Sequence, residues 1–201
     1  MQPRTPSLSI IRRAENIGPE SIARLKAALG VVSFFEDKYI DNVLQPTQRL
    51  GATIIGHGEL KRLHLYLDRP ITPRRVQKLA QYMRSVLPPF SEQPLEVPTL
   101  PSDINEATGR NNRRVLTVAG SPQLIQERVL AREAVRNFYE LDEVPAGVWL
   151  DDAYMTRIGI AKSNNRIESQ MVKFLHGSLV PGSELLPSEV QLAPVEIVPI
   201  S

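Results

Sequence analysis

The sequence predicts an α+β domain. In it, antiparallel sheets and helices form two pseudo-symmetric strand–helix–strand lobes, a bilobal plan around a central groove. Three observations carry this expectation. Apolar residues at helical spacing alternate along the chain with short extended runs. Three helix starts share one signal, a cap-type residue before proline, at Gly18-Pro19, Thr72-Pro73 and Ser121-Pro122. The order strand, helix, strand also occurs twice, about ninety residues apart.

The elements follow in order. A proline in the first helical turn costs nothing, because its missing N–H would be unpaired there. The first helix carries Ile22, Leu25 and Leu29 on one face and stops at Gly30. Residues 52–56 and 63–68 read as two strands joined by a hairpin turn at His57-Gly58-Glu59. The second helix shows the stripe Val76, Leu79, Met83, Leu87 and ends at Pro88-Pro89. Residues 98–112, rich in Pro, Ser, Asn and Gly, read as a long loop between the lobes. Arg114 to Ala119 is a buried strand that leads into a helix from Ser121 towards Leu141, with Ile125, Val129, Val135 and Phe138. Residues 148–150 and 155–161 read as a further strand pair. A fourth helix starts near Asn165, with Glu168 placed for a capping box, and ends at Gly177. The tail from Val190 to Ile200 is extended, and Pro194 and Pro199 suit an edge strand. The division expected is an N-terminal extension, 1–49, with one helix, and a bilobal domain, 50–201. Its lobes span about 50–100 and 113–201 with interleaved elements.

Composition narrows the chemistry. The 201 residues hold no cysteine, which excludes disulfides, thiolate zinc sites and a cysteine nucleophile. The formal charge is +2, a mild basic balance that permits an anionic ligand and falls short of the dense patch of a duplex-DNA binder. No apolar run approaches the roughly 20 residues of a membrane helix. No signal-peptide pattern opens the chain. The expected location is the cytoplasm, with no membrane partner. The sequence contains no phosphate-binding glycine loop, dinucleotide fingerprint, His-Glu-x-x-His helix or Gly-x-Ser-x-Gly elbow. No metal or cofactor is expected.

On a strand, residues two apart face the same side. Read this way, His64 and Tyr66 form one pair, and Tyr154 and Thr156 another. Packed about a pseudo-twofold axis, the two pairs would line the groove. An imidazole and a hydroxyl on one face can move a proton and hold a phosphate oxygen. In this layout residues 50–198 resemble the 2H phosphoesterase superfamily, which includes 2′-5′ RNA ligase-like proteins and cyclic phosphodiesterases. The resemblance implies two lobes, each contributing a His-x-Thr/Ser motif from a strand. It implies metal-independent cleavage of a 2′,3′-cyclic, 2′-5′ or cyclic-oligonucleotide linkage. One histidine would serve as base and the other as acid, with the hydroxyls on the phosphate. The motifs land on His64-Leu65-Tyr66 and Tyr154-Met155-Thr156, so each keeps a different member of the usual pair. A tyrosine, with its pKa near 10, is a poor base at neutral pH.

Arg157, Arg113, Arg114 and His57 complete the candidate phosphate contacts. Each candidate also has a plainer role. His64 suits a core position, His57 an exposed turn, and His176 a helix C-terminus. Asp151-Asp152 suits a solvated turn, the basic run 110–114 a solvated loop, and Trp149 the core. Three functions stay open: a divergent phosphodiesterase, a catalytically impaired nucleotide- or RNA-binding module of the same fold, and a structural or interaction protein. In the last, Val31-Val32-Ser33-Phe34-Phe35 would pack on a partner or complete the core.

Overall fold

A computed structural model of the chain describes residues 6–16, 51–99, 104–108, 114–118, 121–152, 156–162 and 188–200. Strand β1 (Ser7–Arg13) is the middle of its sheet. It pairs antiparallel with β2 (Gly51–Ile55) on one side and with β8 (Glu196–Ile200) on the other. Its first six residues are buried, as befits a strand covered on both faces. Leu8, Ile10 and Arg12 alternate onto one face, and Arg12 there meets helix α3 (Pro122–Phe138). Beyond Arg13 the chain runs on against β7 (Glu189–Leu192) through an Ala14–Leu192 bridge, and β7 pairs with β3 (Leu95–Pro98). A third antiparallel sheet has the order β4 (Ile104–Thr108), β5 (Arg114–Val118), β6 (Ile158–Lys162).

The two proline-capped helices in the described residues begin where their caps place them. Helix α2 (Pro73–Val86) starts behind Thr72, whose hydroxyl accepts from Arg75 N. Helix α3 starts behind Ser121, whose hydroxyl accepts from Leu124 N. Each such cap contributes about 1 kcal/mol. Val76, Leu79, Ala80 and Met83 form the buried stripe of α2. That helix packs on α3, β8 and β1, while α3 lies across β2. The fold is therefore α+β with antiparallel pairing throughout the described strands.

Helix α1 (His57–Tyr66) replaces the hairpin and strand expected over 57–68. The run Leu63-His64-Leu65-Tyr66-Leu67 alternates like a strand, but a stronger local signal precedes it. Gly56 caps the helix, and the Glu59 carboxylate accepts from Gly56 N at 2.9 Å. The buried residues Glu59, Leu60, Leu63 and His64 then follow helical spacing. Residues 148–150 form no strand, and β6 begins at Ile158 rather than 155. The extended tail is two strands, split at Ala193–Val195. Residues 7–13, expected within an extension, are instead the centre of a sheet. The helices expected at 19–29 and 165–176 lie outside the described residues, as do 31–35 and His176. Among the described residues no helix is long and apolar enough to cross a membrane.

Gly51 approaches β1 where no side chain fits. A Cβ there would overlap Arg12 O, and φ is +149°. Gly51→Ala should therefore lower stability by more than about 1 kcal/mol. Gly58, in the first turn of α1, has open space around it. Gly58→Ala should leave stability unchanged or raise it, by up to about 1 kcal/mol. Urea midpoints of the two variants should move in opposite directions or differ clearly.

Candidate functional site

The change from strand to helix rearranges the first candidate pair. Residues two apart on a helix point about 200° apart. His64 accordingly faces inward at 4% exposure, while Tyr66 faces outward at 60%. His64 Nε2 lies 2.6 Å from the Tyr139 hydroxyl, just past the end of α3, with the rings edge to face. Around this pair is a small, mostly apolar pocket lined by Leu8, Leu60, Ile71, Val76 and Leu79. Burial, helped by the nearby Arg75 charge, holds the His64 pKa below the ordinary histidine value. Burial also pushes the Tyr139 hydroxyl up to about 12.

The second candidate pair is only partly described. Thr156 is 1% exposed, and its hydroxyl donates to Asp152 O at 2.9 Å. It sits in a turn before β6 rather than on a strand. Tyr154 and Arg113 lie outside the described residues, and for Arg114 only the backbone, at the start of β5, is described. Arg157 is half-buried. His57 is the first residue of α1, half-buried, and its carbonyl accepts from Ser7 Oγ.

His64 and Thr156 engage different parts of α3. His64 meets Tyr139 just past the C-terminus, while Thr156 hangs from Asp152, whose carboxylate holds Arg128 and Arg132 in the middle of the helix. The two described residues share no hydrogen-bond partner.

Two buried ion pairs dominate the polar interior, and the sequence reading missed both. Arg12 and Glu127 form a two-pronged pair, at 2.8 and 2.6 Å. Arg12 also donates to Gln93 O and Ala193 O. On the adjacent turn face of α3, Arg128 donates to both oxygens of Glu59, to Ile54 O, to Leu150 O and to Asp152. Glu59 in turn accepts from Gly56 N and Leu150 N. Arg132 adds donors to Leu150 O and Asp152 and lies over the Trp149 ring. Arg62 reaches Val148 O at 3.0 Å. Asp152, expected in a solvated turn, is thus an anchor of this network.

A usable signal was present in the sequence. Glu127 and Arg128 occupy the same stripe as Leu124, Ala131, Ala134 and Val135. Charged residues at core-facing helical positions announce a buried pair. Glu59 lies three residues after Gly56, where its carboxylate can reach back to the free N–H at the helix start.

These contacts define what the site can do. The guanidinium of Arg128 and that of Arg12 are enclosed by carboxylates and carbonyls, so they hold the fold rather than a ligand. The unpaired cations lie elsewhere. Residues 57–86 contain Lys61, Arg62, Arg69, Arg74, Arg75, Lys78 and Arg84 against two acids, Glu59 and Asp68. Glu59 is buried on Arg128, and none of the seven cations forms an ion pair among the described residues. At the same corner Leu65 is 80% exposed beside Tyr66. Among the described residues no group of His, Asp and Glu is placed to hold a metal ion.

Burial alone would raise the Glu59 carboxyl. Hydrogen bonds from Arg128, Gly56 and Leu150 outweigh it and hold the pKa below the ordinary carboxylate value. A depressed folded pKa means stability present above the unfolded value and lost as pH falls through the folded one. Arg128→Met should cost about 3–5 kcal/mol, because it leaves the Glu59 charge buried and unpaired. The double variant Glu59→Leu, Arg128→Met should recover much of that loss. It should also lose less stability than the native protein on acidification through the carboxylate range. Chemical denaturation as a function of pH checks both outcomes.

No family model matches the chain, and comparison with curated proteins and with solved structures likewise finds no match.

Proposed function

We propose that this chain is a nucleic-acid-binding module without phosphodiesterase chemistry at His64, and that it takes single-stranded RNA or DNA on the corner between α1 and α2. The observation that carries this is the set of cations on residues 57–86, Arg69, Arg74, Lys78 and Arg84 exposed among them, that form no ion pair among the described residues, together with exposed Tyr66 and Leu65. The whole chain has a formal charge of only +2, so this segment is more basic than the rest combined. A flexible, phosphate-rich strand fits such a surface: Lys61, Arg69, Arg74 and Lys78 neutralise phosphates, and an exposed aromatic ring offers a base a face to stack on.

The placement of His64 weighs against the phosphodiesterase reading. A general base must come within hydrogen-bond reach of the proton it takes. His64 is packed between α1, α2 and the end of α3, and its Nε2 is engaged by Tyr139. The two-lobed plan inferred from the sequence stays part of the proposal as its frame. The surface itself lies wholly within the first half.

Fluorescence anisotropy with labelled single-stranded RNA, the matching duplex and inorganic polyphosphate tests the reading. Single strands should bind with an affinity that falls steeply with salt. Arg74→Glu should reduce the slope of log K against log salt by about 0.7 or more. Tyr66→Ala should cost about 1–3 kcal/mol with single strands and leave polyphosphate binding unchanged. Binding that ignores salt, or equal Tyr66→Ala effects on all three ligands, would overturn the single-strand assignment. Turnover of a 2′,3′-cyclic nucleotide above that of a His64→Ala variant would overturn the non-catalytic one.

A further inference from the structure

We propose that His64 and Tyr139 form an acid-released latch that holds the last turn of α1 against α2 and the end of α3. This goes beyond the binding reading and does not depend on it.

The turn concerned is held from one side only. Its inward residues, Leu63 and His64, are buried, while Leu65 and Tyr66 are exposed to solvent. The helix ends at Leu67, and Asp68 adopts the left-handed conformation, with φ 47°. The chain therefore turns sharply there, and the last helical turn can fray without moving the rest of the domain. What opposes fraying is the packing of Leu63 and Leu67, the backbone bonds that close the helix, and the side-chain hydrogen bond between His64 and Tyr139.

That bond suits a neutral imidazole. Tyr139 keeps its proton at any physiological pH, so its hydroxyl can donate to Nε2. The other ring nitrogen, Nδ1, is buried without a partner among the described residues. The groups that face the pair from each packed element offer no counter-charge. From α2, the Arg75 guanidinium sits 5.7 Å from the centre of the Tyr139 ring. From the turn after α1, Arg69 donates its backbone N–H to His64 O, and its charge acts on Tyr139. From β1 come Ser7 and Leu8, which carry none. No carboxylate is among the charges acting on His64.

A proton added here would place a cation in an apolar pocket beside two other cations. The imidazolium is better solvated outside, and fraying of the last turn takes it there. The direction follows from linkage. The folded state binds this proton less readily than the unfolded chain, so the latch is complete above the ordinary histidine pKa. It loosens as pH falls from that value towards the depressed folded one.

Amide hydrogen exchange, expressed as protection factors, together with NMR titration of the His64 ring, tests the proposal on the full chain. Protection of residues 63–69 should fall several-fold between about pH 7.5 and about pH 5, in step with His64 titration. Protection in the middle of α3 should hold. His64→Gln, which can still accept from Tyr139 and cannot titrate, should abolish the pH dependence at 63–69. Tyr139→Phe keeps the ring but removes the bond to the neutral imidazole, so release should begin at higher pH. His64 titrating at the ordinary histidine value without loss of protection would overturn the latch. So would an equal loss of protection in His64→Gln. Should His64→Gln fail to fold, the native titration and the Tyr139→Phe shift decide the matter between them.

Discussion

The ion pair between Glu59 and Arg128 ties together four pieces of chain that apolar packing alone would leave loosely related. Through Glu59 it fixes the start of α1. Through Ile54 O it fixes the end of β2, and through Leu150 and Asp152 it fixes the chain that leads towards β6. A carboxylate and a guanidinium out of water are expensive unless every donor and acceptor is met. Here backbone groups meet most of them, and the position of each backbone segment is set by that requirement. The neighbouring Arg12–Glu127 pair does the same for β1 and the carbonyls at Gln93 and Ala193. Consecutive residues of α3 thus grip two different parts of the sheet system.

This arrangement divides the arginines into two populations. Arg12 and Arg128 are enclosed and neutralised, and they specify geometry. Arg69, Arg74 and Arg84, on α2 and the turn before it, are exposed and lack counter-charges among the described residues, so their field extends outward. The division matters for function because a count of basic residues makes no such distinction. The net charge of the chain is small only because acids elsewhere offset a segment that is strongly positive.

Much of the fold was legible in the residues. Thr72-Pro73 and Ser121-Pro122 marked α2 and α3, since a capping hydroxyl and a donor-free first position admit few alternatives. The candidate site was less legible, and the failure traces to one segment. Leu63-His64-Leu65-Tyr66-Leu67 satisfies a period of two as well as a helical stripe, and the bond from Gly56 N to the Glu59 carboxylate, which closes the first turn, decides between them. The wrong period put His64 and Tyr66 on one face, and the paired-motif site followed from it. The partners of buried charges were illegible for a different reason. Glu59 meets Arg128 across a long stretch of sequence, and nothing local to either residue names the other.

The place of β1 has a consequence for how the chain acquires this structure. Ser7 pairs with Ile200, so the central strand of the first sheet gains its second neighbour from nearly the far end of the described chain. A ribosome adding about 5–20 residues per second exposes β1 well before β8 exists. During that interval β1 has an open edge, the kind of surface that pairs with other chains. Closing so long a loop also delays the final pairing, since its entropy is lost before the contacts form. The first sheet is therefore complete only once the chain from β1 through β8 has been made.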